Sequence, residues 1–124
     1  TPNQNMYMIE GSEEQLPLWN MEVDFDFFET LDIKISEGRL FKRDLDNDSI
    51  PTFILNETAV KNLNIENPIG RRLGTYINQQ GELAYGQIVG RKVYLLPKPG
   101  VMKKHAQIIH MDLPFLTSRN RPYV

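Results

Sequence analysis

Residues 51–73, PTFILNETAVKNLNIENPIGRRL, constrain the fold more than any other part of the chain. Residues 52–55 are a short β-prone run, and the polar Asn56 follows at once. Asparagine is a favoured helix N-cap, and Glu57 places a negative charge in the first turn, where the helix dipole favours it. The stretch therefore predicts a buried strand that runs directly into a helix near 57–64.

The sequence also predicts where this helix ends. Pro68 lacks the backbone N–H that a continuing helix needs, and Gly70 offers the backbone freedom that a sharp turn requires. A second β-prone run follows at 71–77. If the strands at 52–55 and 71–77 are parallel neighbours, they form a βαβ-like unit with a right-handed crossover.

Alternation of apolar and polar residues predicts further strands in the rest of the chain. They lie at 6–10, 16–23, 33–36, 82–89 and 106–113. The two chain ends, 1–5 and 114–124, are polar and contain proline, so we predict that they are loose.

A second short helix is predicted near 24–31, between the strands at 16–23 and 33–36. Asp24 or Asp26 can cap it by accepting a backbone N–H. Phe27, Phe28 and Leu31 are spaced to form one apolar face of the helix.

These elements predict an α+β fold in which a mixed β-sheet carries the two short helices on one face and contains the βαβ-like unit. A chain of 124 residues suits a single domain, 1–124, that buries its own core. The chain opens on Thr1 rather than Met, and we interpret it as a fragment of a longer protein.

Composition excludes several classes of function. The net charge is −2, from 14 basic and 16 acidic side chains, so no basic excess is present for binding nucleic acid. Cysteine is absent, which excludes disulfides, thiolate zinc sites and thiol catalysis. No apolar run is long enough to span a membrane.

One acidic segment resembles the start of a calcium-binding loop. Asp44, Asp46 and Asp48 alternate as the first ligands of such a loop do. Ser49 stands where the loop needs glycine, however, and Leu55 where it needs a bidentate glutamate. We interpret the segment as a solvated acidic loop with no metal.

No catalytic or cofactor motif is present either. The sequence contains no nucleophile elbow, no phosphate-binding glycine loop and no dinucleotide fingerprint. It therefore predicts no enzyme, no catalytic residue and no cofactor in this chain.

Three landmarks in order resemble the extracytoplasmic core domain of MacB-like, FtsX-related ABC transporter permeases. The first, 23–41, combines Phe27-Phe28-Glu29-Thr30-Leu31 with alternating isoleucines and Gly38-Arg39. The second is Ile54-Leu55-Asn56-Glu57-Thr58-Ala59 followed by Asn67-Pro68-Ile69-Gly70. The third is Ile88-Val89-Gly90, after which this chain departs from the family pattern with Arg91-Lys92.

The resemblance implies that the fold-motif residues of this chain are architectural. They are Gly38, Arg39, Asn56, Glu57, Pro68, Gly70 and Gly90. It also implies a domain at the periplasmic face of the bacterial inner membrane that performs no chemistry. Implied partners are transmembrane helices of the same parent chain, a cytoplasmic ABC ATPase that binds the ATP, a second permease copy or a homologue of it, and a periplasmic protein.

A different class of function stays open at this point. A free-standing extracytoplasmic module could bind peptides or glycans through aromatic side chains. The candidates for those contacts are Trp19, Tyr76, Tyr85 and Tyr94.

Overall fold

A computed structural model describes residues 3–42, 51–92 and 107–111 of the chain. Within these ranges the chain forms seven strands and two helices. In chain order they are β1 (Asn3–Ile9), β2 (Leu16–Val23), α1 (Phe27–Thr30), β3 (Glu37–Gly38), β4 (Thr52–Asn56), α2 (Glu57–Leu63), β5 (Arg72–Tyr76), β6 (Leu83–Lys92) and β7 (Gln107–Met111). The predicted α+β class with a mixed sheet is confirmed.

The strands form one sheet that closes on itself. Their order is β3-β6-β4-β7-β2-β1-β5, and β5 pairs in addition with β6. The pairs β2/β7 and β4/β6 are parallel, while the other pairs are antiparallel. β6 is long enough to pair with β5 through its first half and with β4 through its second half.

β4 lies at the centre of the core because it pairs with β6 on one side and β7 on the other. All five of its residues are buried. Phe53 and Leu55 belong to one apolar cluster, whereas Ile54 belongs to a second. Since successive side chains of a strand point to opposite faces, the two clusters cover opposite faces of the sheet.

α2 packs on the face of Phe53 and Leu55, where Ala59 and Val60 join the same cluster. Its N-cap is Asn56, whose side-chain oxygen accepts a hydrogen bond from the backbone N–H of Ala59 at 2.8 Å. The helix ends at Asn64, which adopts the left-handed conformation with φ 57°. Both ends therefore lie within one residue of the prediction.

α1 packs on the other face, so the prediction that both helices share one face is wrong. Phe28 of α1 lies in the same cluster as Ile54, with its ring edge-on to that of Phe41 at a centroid distance of 5.8 Å. Leu31 was predicted to face the core, but it is 42% exposed. α1 has only four residues, so Leu31 falls beyond its end and is not held on the inner side.

Residues 33–36 were predicted to form a strand, but they do not form one. Ile33 and Ile35 do pack against the second cluster, as their alternation predicted. Regular pairing begins only at Glu37, in the two-residue strand β3. At the N-terminus, β1 begins at Asn3, so residues 3–5 belong to the sheet and not to a loose end.

The predicted βαβ-like unit is not confirmed. The parallel neighbour of β4 is β6, whereas β5 pairs antiparallel with β6 and with β1. The chain leaves α2, forms β5 and then returns through a hairpin before it reaches the strand beside β4. The sequence places the right elements in order, but local patterns do not specify which strands pair.

Tyr7 is the most deeply buried titratable side chain in the described part of the core, at 1% exposure. Burial raises the pKa of its hydroxyl above the ordinary value of 10.0, and the carboxylate of Glu22 adds to this effect. Hydrogen bonds with the side chains of Thr75 and Asn20 act in the opposite direction without cancelling it.

This shift predicts a loss of stability in alkali. Up to the ordinary tyrosine pKa the hydroxyl is neutral in both states, but at higher pH only the unfolded chain ionises. When the pH is raised from about 8 to about 11, the free energy of unfolding of both proteins should fall. We expect the decrease to be about 1.4 kcal/mol smaller in Tyr7→Phe than in the parent chain. Urea titrations at both pH values measure the difference, and an identical pH dependence in the two proteins would contradict the assignment.

Candidate functional site

The residues that carry the sequence landmarks meet around the second half of β6. Gly90 lies opposite Gly38 of β3 on one side and opposite Ile54 of β4 on the other. One residue further along β6, Arg91 lies opposite Glu37 and Leu55. Segments that are far apart in the sequence thus occupy adjacent positions across three strands.

The two glycines allow the backbones of β3 and β6 to approach closely. Gly38 has φ 90°, and a Cβ atom there would overlap the carbonyl oxygen of Val89. A Cβ at Gly90 would lie 2.9 Å from the carbonyl oxygen of Arg39. Side chains at either position would therefore force the two strands apart.

Pro68 and Gly70 form a turn that returns the chain to β6. The N–H of Arg71 donates to the Pro68 carbonyl at 3.0 Å, and the N–H of Gly70 donates to the Ile88 carbonyl at 2.8 Å. The N–H of Ile88 donates in turn to the Arg71 carbonyl at 2.9 Å. The turn after α2 is therefore bonded to β6 at the point where β5 pairing ends.

Arg39 reaches the same strand through its backbone. Its N–H donates to the Val89 carbonyl at 2.8 Å, which extends the β3–β6 pairing by one residue. Its guanidinium Nη1 donates to the carbonyl of Leu40 at 3.0 Å. Arg39 thereby stabilises the chain where it leaves β3.

Arg91 links β3 to α2, which the sequence patterns did not indicate. Its Nε lies 3.0 Å from a carboxylate oxygen of Glu37 and 3.8 Å from one of Glu57. The Arg91 side chain is 28% exposed, so solvent screens these pairs only in part. Each contributes on the order of 1 kcal/mol or less. The only sequence signal was the unexpected charge directly after Gly90.

These contacts form a structural junction between β3, β4, β6 and α2. Arg91 pairs with Glu37 and Glu57, and Arg39 bonds a backbone carbonyl. The other members are glycines, a proline and a capping asparagine. Within residues 3–42, 51–92 and 107–111, no group of three His, Cys, Asp or Glu side chains is placed to hold a metal ion. The acidic segment with Asp44, Asp46 and Asp48 lies outside the described residues.

The aromatic residues of the alternative binding module are dispersed over the strands. Trp19 on β2 is 38% exposed. The hydroxyl of Tyr76 on β5 accepts a hydrogen bond from Gln15, and the ring of Tyr85 on β6 lies under the guanidinium of Arg72 at 5.5 Å. Tyr94 lies outside the described residues. Among the described strands, β1 lies between β2, which carries Trp19, and β5, which carries Tyr76.

The cap at Asn56 gives a test of the junction. Asn56 is fully buried, and Asn56→Ala removes the acceptor of the Ala59 N–H. We expect the free energy of unfolding to fall by about 1–2 kcal/mol. Asn62→Ala, at an exposed position of the same helix, should change it by less than about 0.5 kcal/mol. Chemical denaturation measures both, and equal effects would show that the cap is not important.

Comparison with known proteins shows likeness in structure only. No protein-family profile and no curated protein matches the sequence. The periplasmic region of MacB from Actinobacillus actinomycetemcomitans superposes with a TM-score of 0.62 at 15% identity over 90% of this chain. The extracellular domain of the ABC-type transporter YknZ from Gram-positive bacteria gives 0.58 at 10% identity over 89% of it.

A third structure is a domain of a protein named as a permease, from Porphyromonas gingivalis. It superposes with a TM-score of 0.60 at 14% identity over 98% of this chain. The chain spans only 45%, 51% and 47% of these three structures, about half of each. The likeness that the landmarks predicted is thus confirmed for the fold.

The described part of the chain contains two helices, α1 and α2. Neither α1 nor α2 has the length and apolar character that a helix needs to cross a bilayer.

Proposed function

We propose that this chain is a non-catalytic extracytoplasmic domain of an ABC transporter permease. The observation that carries the proposal is the convergence of the three landmarks on β6, between Ile88 and Arg91. Landmarks that coincide only by chance would have no reason to meet at one place. The fold likeness to periplasmic and extracellular transporter domains supports the same conclusion.

In this proposal the domain transmits movement. A cytoplasmic ATPase binds and hydrolyses ATP, transmembrane helices of the parent chain carry the resulting motion, and the domain acts on a substrate or protein partner in the periplasm. The closed sheet suits this role because, among the described strands, all but the short β3 are paired on both sides, so the domain can move as one body. A second permease copy would complete the assembly.

The location can be tested by cysteine labelling because the chain has no cysteine of its own. Glu13→Cys lies in the exposed turn between β1 and β2, and Gln80→Cys lies in the exposed turn before β6. In the parent protein, freed of any other cysteine, both should react with a membrane-impermeant maleimide in cells whose inner membrane is intact. Reaction only after lysis would place the domain in the cytoplasm and overturn the proposal.

The transmission of movement needs a separate measurement. The parent permease is reconstituted with its ATPase, and an environment-sensitive fluorophore is attached at Glu13→Cys. We expect the emission of the fluorophore to change when ATP is added. It should stay constant with an ATPase variant that binds ATP but cannot close around it. No ATP-dependent change at either labelled turn would contradict the coupling role while leaving the location intact.

A further inference from the structure

Trp19, Tyr76 and Tyr85 lie on different strands but on the same face of the sheet. Directly opposite residues of paired strands share a face, as do alternate residues along one strand. The register of β1 with β2 and with β5 connects Trp19 to Tyr76. Tyr85 lies opposite Gly74, two residues before Tyr76. We call this surface the aromatic face, and its other members are Met6, Leu83 and the glutamines Gln4, Gln15 and Gln87.

The aromatic face is separate from the core. Trp19 is 38% exposed and Leu83 is 36% exposed, while Met6, Tyr76 and Tyr85 are partly buried. The two apolar clusters of the described residues contain none of these side chains. The face therefore presents apolar and aromatic area beyond what the core of the described chain uses.

Neighbouring groups fix the two tyrosine rings of the aromatic face. Nε2 of Gln15 donates a hydrogen bond to the hydroxyl of Tyr76 at 2.9 Å. The ring of Tyr85 lies so close to Gly74 that a Cβ atom there would come within 2.7 Å of it, and the guanidinium of Arg72 lies over the ring. Side chains that are already held in place lose little conformational freedom when a ligand binds.

The electrostatics of the aromatic face favour an uncharged ligand. None of the residues that define the face is charged. At its border, Arg72 and Glu10 pair at 2.7 Å, so their charges compensate each other. The polar groups of the face are tyrosine hydroxyls and glutamine amides, which both donate and accept hydrogen bonds. A neutral ligand with many hydroxyl groups matches this chemistry, whereas an ionic polymer finds no counter-charge.

The strands below the aromatic face do not offer an edge to a peptide. Within the described sheet, β1, β2, β5 and β6 are each paired on both sides. A peptide that binds as an added strand needs an unpaired edge. A ligand of this face must therefore contact the side chains, and sugar rings suit them because their CH groups pack against aromatic rings.

We propose that the aromatic face binds a neutral glycan chain. Sugar rings stack on Trp19 and Tyr76, and their hydroxyl groups bond with the amides of Gln4 and Gln15. Trp19 and Tyr76 are two strand spacings and one two-residue step apart, about 12 Å, so a chain of several sugars is needed to contact both. The proposal goes beyond the proposed function and does not depend on it.

An NMR titration of the full chain with the tetramer of N-acetylglucosamine, a neutral glycan, tests this site. We expect shifts of the Trp19 indole N–H and of amides in β1 and β5, and none in α1. The tetramer of galacturonic acid has the same length but is negatively charged, and it should cause no shifts. Equal responses to the two sugars, or no response to the neutral one at millimolar concentration, would overturn the proposal.

Substitutions on the aromatic face identify the contacts. Trp19→Ala and Tyr76→Ala should each weaken binding about fivefold or more, and Tyr76→Phe, which keeps the ring, should weaken it less. Leu31→Ala removes an exposed apolar side chain outside the face and should leave binding unchanged. Unchanged signals from β4 show in each case that the domain is folded.

Two further outcomes would count against the glycan. Affinity that is the same in Trp19→Ala, Tyr76→Ala and the parent chain would show that the sugar binds elsewhere. Signals of the aromatic face that shift on dilution without sugar would show that the face binds a second copy of the chain. Either result overturns the proposal and leaves the proposed function untouched.

Discussion

Gly38→Ala should lower the free energy of unfolding by about 2–5 kcal/mol. Two penalties add at this position. The left-handed backbone costs a residue with a Cβ about 1–2 kcal/mol, and overlap with a neighbouring backbone costs about 1–3 kcal/mol more. The overlap is with Val89 and Gly90 of β6, which are backbone atoms that cannot rotate away. Chemical denaturation followed by circular dichroism measures the loss.

Substitutions at two further glycines measure the backbone penalty and the steric penalty separately. Gly81 has φ 86° but open space around it, so Gly81→Ala should show the backbone penalty alone. Gly86 does not have a positive φ, but a Cβ atom there would overlap the carbonyl of Pro51. Gly86→Ala should therefore show the steric penalty alone. If Gly38→Ala is no more destabilising than Gly81→Ala, the close approach of β3 and β6 is not important for stability.

Phe53→Ala should destabilise the fold by about 3–5 kcal/mol, a large part of the stability of a domain of this size. Phe53 is completely buried in the middle of β4, and its ring meets that of Tyr7 edge-on at a centroid distance of 6.2 Å. Removal of the ring loses this contact and leaves a cavity between the strands and α2. Thermal unfolding should show a decrease in Tm of roughly 10–20 °C.

The expected loss of stability depends on the apolar volume that is removed and on how deeply that volume is buried. Phe53→Leu keeps most of the apolar volume and should cost less than about 1.5 kcal/mol. Leu83→Ala removes an apolar side chain that is 36% exposed and should cost well under about 1 kcal/mol. A Phe53→Ala protein with an unchanged Tm would mean that the core is not organised around β4.

Local chemistry made much of the fold predictable. The side chain of Asn56 caps α2, the helix ends at Leu63 within one residue of the predicted end, and β2 runs from Leu16 to Val23 as its alternation indicated. Each of these features depends on a few consecutive residues, whose conformational preferences can be read directly from the sequence. The strand predicted at 106–113 likewise contains β7.

Features that depend on distant partners were predicted less well. The sequence does not indicate which face of the sheet α1 covers, because Phe27 and Phe28 could pack on either face. The predicted βαβ-like unit required β5 to lie beside β4, whereas β6 lies between them, because local patterns do not specify which strands pair. Arg91 went unrecognised as a link because Glu37 and Glu57 lie far from it in sequence.

The closure of the sheet by β7 has a consequence for how the domain folds. β7 occupies the gap between β2 and β4, yet it lies near the far end of the chain from both of them. Until residues 107–111 arrive, β2 and β4 each present an open edge, which another chain could pair with. We therefore expect slow folding that is completed only after residues 107–111 are available, as is typical of proteins dominated by non-local pairing. Aggregation of incomplete chains would be the corresponding hazard, and a chain truncated before Gln107 should show it.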